Sequence, residues 1–241
     1  MRFHPNIIFD FFIPRSCPSC KTRLAPNENY ICKLCLNEIN NVPKNLLDEE
    51  YNKSFKSEKI IDDIFSLFLF DEDSPIRNLI HELKYNRKFM YGKFLGKLIA
   101  KEITKTKPNW KFDGIFAVPL HPSKKVTRGY NQSDFIVKGI SSVLNIPIYS
   151  KYLKRKRATP SQTNLNVMER KRNVANAFSV KKNIKLNEKS FIIVDDIITT
   201  GATISEAASK LKEMGAQTIY AVSAALTSFD TTFSREHLNQ E

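Results

Sequence analysis

FIIVDDIITTGAT, residues 191–203, is an apolar run that ends in two adjacent acids and continues into a threonine-rich turn. Phe191–Val194 has the composition of a buried parallel strand, and Asp195 and Asp196 stand at its C-terminal end. Beyond the turn, Ile204, Ala207, Ala208 and Leu211 keep helical spacing, and Gly215 sits where a helix C-cap belongs. Thr218–Leu226 is again strand-like, so the unit reads β-α-β. A helix start offers unpaired N–H groups and partial positive charge, which makes it a seat for phosphate. Gly201 lets the backbone approach a ligand, and the threonine hydroxyls add donors. Two carboxylates would repel a bare phosphate, so they must face something else, such as sugar hydroxyls or a magnesium shell. A phosphorylated ribose meets both requirements. An acid-rich turn with a threonine cap would explain the threonines but not the carboxylates.

The whole chain has 241 residues, enough for one main domain and a small appendage. Its 38 Lys+Arg exceed 25 Asp+Glu, giving a net charge of +13, so a polyanionic partner is expected. No apolar run reaches the roughly 18–20 residues of a membrane span. The N-terminal IIFDFFI is interrupted by Asp10 and runs into cysteines, so the expected compartment is the cytoplasm.

Cys17-Pro-Ser-Cys20 and Cys32-Lys-Leu-Cys35 form two C-x₂-C knuckles, the spacing of a tetrahedral four-thiolate zinc site. Two disulfides, disfavoured in a reducing cytosol, and an iron–sulfur cluster are the alternatives. Four thiolates close the coordination sphere, so the expected zinc is structural. Residues 1–45 are assigned to this module, the polar stretch 46–60 to a linker, and 61–241 to the main domain.

Within the main domain, Ile64–Phe70 reads as a strand. Ser74-Pro75 then opens a helix buried through Ile76, Leu79, Ile80 and Leu83. Phe94, Leu95, Leu98 and Ile99 carry a second helix, and Phe112–Val118 a second strand. Leu120-His121-Pro122-Ser123-Lys124 follows that strand as a second candidate anion loop. A further helix has Ile136, Ile140, Val143 and Leu144 on its expected buried face; Asn131 either caps it or meets a ligand. His81 reads as a surface residue. Residues 151–182 hold ten Lys and Arg against Glu169 alone, so this stretch carries +9 of the chain's charge. Tyr130, Tyr152 and Phe178 either stack on bases or belong to the core.

VDDIITTGAT resembles the phosphoribosyl pyrophosphate (PRPP) motif of type I phosphoribosyltransferases. Together with His81–Tyr85, Arg128-Gly129-Tyr130-Asn131-Gln132 and the pattern Arg157, Thr159, Gln162, Leu165, Glu169, Arg170, Asn173, Val174, Ala177, Phe178, it makes nearly the whole chain similar to the ComF family of competence-associated proteins. The resemblance implies an α/β, three-layer, mostly parallel-sheet domain of the type I phosphoribosyltransferase kind behind a small zinc module. It implies that Asp195 and Asp196 hold the ribose hydroxyls and act as the catalytic pair. Ile197, Thr199, Thr200, Gly201, Ala202 and Thr203 would wrap the 5′-phosphate. Leu120–Lys124 would meet the diphosphate with Mg²⁺, in a loop that often holds a non-proline cis peptide. Arg155, Lys156, Arg157, Gln162, Arg170 and Asn173 would belong to the mobile basic loop that closes over PRPP. The implied role is handling of single-stranded DNA in natural transformation, with other competence proteins as partners. The alternative is an active transferase displacing pyrophosphate from PRPP with a nitrogen acceptor.

Overall fold

The computed structural model describes residues 14–71, 73–157, 174–181 and 184–227. Four parallel strands form the central sheet in the order β1-β6-β5-β2, with β1 Asp63–Leu69, β2 Gly114–Ala117, β5 Ser190–Ile198 and β6 Thr218–Leu226. A bridge from Ile115 to Ile148 extends it beyond β2. A two-stranded antiparallel ribbon, β3 (Leu153–Arg155) with β4 (Phe178–Val180), stands apart from the sheet and brackets the basic stretch. β5 is central and buried from Phe191 to Val194, as its unbroken run of large apolar residues requires. It runs four residues further than the apolar stretch predicts. Asp195 pairs in register with Ser223, so both acids lie inside the strand.

Seven α-helices surround these strands among the described residues: α1 Lys33–Asn37, α2 Lys44–Ser54, α3 Pro75–Tyr85, α4 Phe89–Thr106, α5 Pro122–Arg128, α6 Gln132–Leu144 and α7 Ala202–Glu213. α3 buries Ile76, Leu79, Ile80 and Leu83 as its spacing dictates, although Ser74 makes no side-chain cap bond. α6 departs from expectation: Val143 is exposed, while Gln132, Ser133, Ile136, Val137, Gly139 and Ile140 are buried. The reason lies in the crossing with α4. A Cβ on Gly96 would stand 2.1 Å from the Ile136 carbonyl oxygen, and one on Gly139 would stand 2.3 Å from that of Lys93. The two backbones meet at these glycines, so small residues rather than the bulkiest ones decide which face of α6 turns inward.

Residues 46–60, read as a linker, hold most of α2, which buries Leu46, Leu47 and Glu50. Ser54 Oγ donates to Glu50 Oε1 at 2.6 Å, giving that buried carboxylate a partner. Just past α2, Phe55 is 1% exposed and reaches the turn after β5. Tyr130 and Phe178 are buried and Tyr152 packs against the core, so the described geometry makes these rings core residues rather than a stacking surface. No helix of the described residues is long and apolar enough to cross a membrane.

Candidate functional site

The C-terminal ends of β2 and β5 open onto a cleft of about 310 Å³. Strand alternation sends the two acids to different partners. Asp195 Oδ1 accepts from Ser133 Oγ of α6 at 3.1 Å, whereas Asp196 Oδ2 pairs with Lys84 Nζ of α3 at 2.7 Å. Both acids line the cleft. Asp196 is 5% exposed, and removing one partner of so enclosed an ion pair costs about 3–5 kcal/mol. Lys84 is therefore the partner that compensates Asp196 at the floor of the cleft.

Burial, then the charge of Asp196, pushes Asp195 up to about 7 against the backbone bond from Asp196, Lys84 and Ser133. The folded carboxyl thus keeps its proton to about 7, whereas an unfolded one releases it near 3.8. The folded state binds more protons between those values, so this group lowers stability as pH rises from about 4 to about 7. Wild type is expected to melt a few degrees higher at pH 6 than at pH 8 on this account. Asp195→Asn should remove that difference and raise the pH 8 midpoint; equal pH profiles for the two proteins in thermal melts would refute the assignment.

The turn after β5 leads into α7, whose first backbone N–H groups have no helical acceptor. Ile197, Thr199 and Thr203 line the cleft, and Ala202 is buried at the helix start. Thr200 is 4% exposed, lies behind the cleft wall, and its Oγ1 has no hydrogen-bond partner among the described residues. Gly201 has φ +71 and stands at the N-cap. The space beside its Cα belongs to Phe55: an added Cβ would lie 2.4 Å from Cζ of that ring. The glycine is thus required by packing from behind as well as by the left-handed turn.

In the loop after β2, Leu120 and Lys124 face the cleft, and Pro122 lines a neighbouring pocket. His121 Nδ1 and Ser123 Oγ are 2.8 Å apart and bind each other at the start of α5. The described peptide bonds of this loop are all trans, unlike those often found in the resembled enzymes. Burial and then the charges of Arg155, Arg128 and Lys84 pull Lys124 below its ordinary value, a sign of uncompensated positive charge. Asn131 occupies the N-cap of α6 without capping through its side chain. Its Nδ2 donates to the Val118 carbonyl at 3.0 Å and ties α6 to the loop, while its Oδ1 is buried with no hydrogen-bond partner among the described residues.

Arg155 lines the cleft and lies over Phe178, 5.2 Å from its centroid. Lys156 N–H donates to the Ala177 carbonyl, and Arg157 Nη2 donates to Ala175 at 2.7 Å. Gln162, Arg170 and Asn173 lie outside the described residues. Lys84, Ser133, Arg128 and Gln132 are cleft or support residues to which the sequence reading gave no role. Lys84 and Arg128 at least fall in two of the stretches that carry the family resemblance.

At the other end of the chain, the sulfur atoms of Cys17, Cys20, Cys32 and Cys35 lie within 4.8 Å of one another. Cys20 and Cys32 are 3.7 Å apart, and Cys32 Sγ accepts from the Cys35 N–H at the start of α1. Four thiols this close fit a soft tetrahedral metal ion. Tyr30, between the two knuckles, packs 4.9 Å from Phe94 and 5.9 Å from Tyr91, and Asn78 donates to Ser19 Oγ, so the cluster is docked on α3 and α4.

A parallel α/β sheet with an acid pair and a phosphate-type helix start at its strand ends defines a type I phosphoribosyltransferase-like domain, here with a four-cysteine module in front. The family model "Phosphoribosyl transferase domain" matches residues 135–234. The chain belongs to the ComF family. It is 34% identical over 152 residues to the DNA utilization protein YhgH of Shigella flexneri, a match covering 62% of this chain and 66% of that protein. Its match to competence protein F of Haemophilus influenzae is 28% identical and spans 84% of this chain and 93% of the relative. Competence protein ComFC of Streptococcus pneumoniae is 25% identical over 63% of each chain. Among solved structures, glutamine PRPP amidotransferase from B. subtilis, complexed with ADP and GMP, is 21% identical over 59% of this chain and 30% of its own, with a TM-score of 0.40.

Proposed function

We propose that the protein binds PRPP with Mg²⁺ and handles single-stranded DNA during natural transformation in the cytoplasm, alongside other competence proteins. The carrying observation is the cleft in which Asp195 and Asp196 face Thr199 and Thr203 at the start of α7. In this reading the acids accept from the ribose hydroxyls. Thr199–Thr203 and the free N–H groups hold the 5′-phosphate, and the loop Leu120–Lys124 meets the diphosphate, whose charge Lys124 and Arg155 neutralise. Mg²⁺ would enter with the diphosphate and spread its charge. Zn²⁺ on Cys17, Cys20, Cys32 and Cys35 would hold residues 1–45 together, with 46–60 joining them to the main domain at 61–241. The names of the relatives, DNA utilization and competence proteins, support the DNA role. So does the charge of +13.

The test is calorimetric titration with Mg²⁺ and PRPP. Charge-assisted hydrogen bonds contribute about 1.5–3 kcal/mol each, so losing both acids should weaken binding at least about 100-fold. Asp195→Asn/Asp196→Asn is expected to show no measurable heat. Equal affinity of wild type and variant would refute the assignment of these acids. A folded wild type that ignores PRPP would refute the ligand. The second reading, a transferase with a nitrogen acceptor, is supported by the Asp195 carboxyl at the cleft, which burial raises to about 7, the range suited to proton transfer near neutral pH. Pyrophosphate release that requires an added base or amine would establish it.

A further inference from the structure

Beside the cleft lies a separate pocket of about 420 Å³ between the end of α3 and α5, lined by Lys84, Tyr85, Arg87, Lys124, Thr127 and Arg128. It contains four cations and no acid. Lys84 has Asp196 as its counter-charge, but among the described residues Arg87, Lys124 and Arg128 form no ion pair. Arg128 spends its guanidinium on neutral groups: Nη1 donates to Gln132 Oε1 at 3.1 Å and Nη2 to the Tyr85 hydroxyl at 3.4 Å. The same guanidinium lies 5.1 Å from the centroid of the Tyr85 ring, which is 57% exposed. Lys124, Arg128 and Lys84 also line the cleft, so the pocket and the cleft share one wall of positive charge.

Like charges crowded together without acids mark a place that gains stability when a polyanion arrives. A lone phosphate would leave the exposed aromatic ring unused. A duplex keeps its base faces stacked inside. A single strand offers both phosphates and open base faces, which match the cations and the Tyr85–Arg128 platform. We propose that this α3–α5 pocket is a seat for single-stranded DNA, with a base stacked at Tyr85 and the backbone held by Arg87 and the shared cations. The inference rests on the DNA reading above, but it puts the strand in a pocket lined by none of the described residues of the basic stretch 151–182. It also carries a consequence for regulation. PRPP and the strand draw on the same three cations, so each weakens the other, and by reciprocity to the same extent.

Fluorescence anisotropy with a labelled oligothymidylate tests the seat in the intact, metal-loaded chain. Tyr85→Ala and Arg87→Gln are each expected to weaken binding by roughly tenfold. Arg87→Gln should also lower the slope of log affinity against log salt by about one. Neither residue lines the cleft, so calorimetry should find Mg²⁺–PRPP affinity unchanged in both variants, which also reports that they are folded. Saturating Mg²⁺–PRPP should weaken oligothymidylate binding to wild type several-fold. If both variants bind DNA like wild type while Arg155→Ala/Lys156→Ala/Arg157→Ala loses it, the seat is refuted and the DNA reading survives. If wild type binds PRPP but no oligothymidylate, both fall together. DNA affinity indifferent to PRPP overturns the shared wall.

Discussion

Gly201→Ala is expected to destabilise the folded chain by about 2–5 kcal/mol. Two independent penalties meet at this position. The first is conformational: φ is +71, and an L-residue in the left-handed region costs about 1–2 kcal/mol. The second is steric: the new Cβ would lie 2.4 and 2.6 Å from Cζ and Cε1 of Phe55, and forced overpacking costs about 1–3 kcal/mol. Phe55 cannot swing aside cheaply, because it is 1% exposed and enclosed by the core. Denaturant unfolding of Gly201→Ala, Phe55→Ala and the pair separates the two terms. Phe55→Ala alone should cost about 3–5 kcal/mol through its cavity. In the double variant the methyl enters that cavity, so the sum should fall short of additivity by about 1–3 kcal/mol. Strict additivity would mean that the ring does not buttress the turn. The backbone term alone would then explain the glycine.

This contact also marks the boundary of what the sequence discloses. The acid pair, the threonine turn and the cysteine knuckles are local patterns, in which chemistry and spacing lie within a few residues, and they could be read directly. So could α3, whose Ile76, Leu79, Ile80 and Leu83 keep one helical face. Phe55 could not, because its partner lies across the fold and its neighbours are charged. α2 was hidden for a related reason: its inward face holds two adjacent leucines and Glu50, a carboxylate whose burial depends on Ser54. The pairing of Asp196 with Lys84 and of Asp195 with Ser133 likewise joins residues from different elements. Only the packing of α3 and α6 around β5 brings them together. Hydrophobicity alone turns Val143 of α6 inward, whereas packing leaves it exposed. At a backbone-to-backbone crossing, Gly96 and Gly139 count for more than a valine. The strand end of β5 differs for the opposite reason. Acids discourage a strand in the abstract, yet β5 keeps its ladder with β6 through Asp195, Ile197 and Ile198, with Ser133 and Lys84 as partners for the two acids.

Cys17→Ser is expected to unfold the N-terminal module while leaving the parallel sheet in place. The described part of the module, residues 14–45, is shorter than the ~40 residues below which a domain usually needs a metal or disulfides to hold together. Among the described residues its own apolar core is Leu24, Ile31, Ile39 and Val42 around the cysteines. The sulfur atoms are gathered within 4.8 Å, so one thiolate fewer opens a corner of the coordination sphere. Structural zinc in short peptides contributes about 10–16 kcal/mol of apparent binding energy, all of it folding energy. Removing the ion therefore releases the chain around Tyr30, whose ring then leaves Tyr91 and Phe94 exposed on α4. Native mass spectrometry should find one zinc ion on wild type and none on the variant. Limited trypsin digestion should cut the variant rapidly at Lys21, Arg23 and Lys33 while the remainder resists. A strong chelator should reproduce that pattern on wild type. The sheet should keep its cooperative melt, since β5, β6 and β2 pair without help from the module. A variant that retains zinc, or a metal-free chain that resists trypsin at all three sites, would show that packing alone holds the cysteines together.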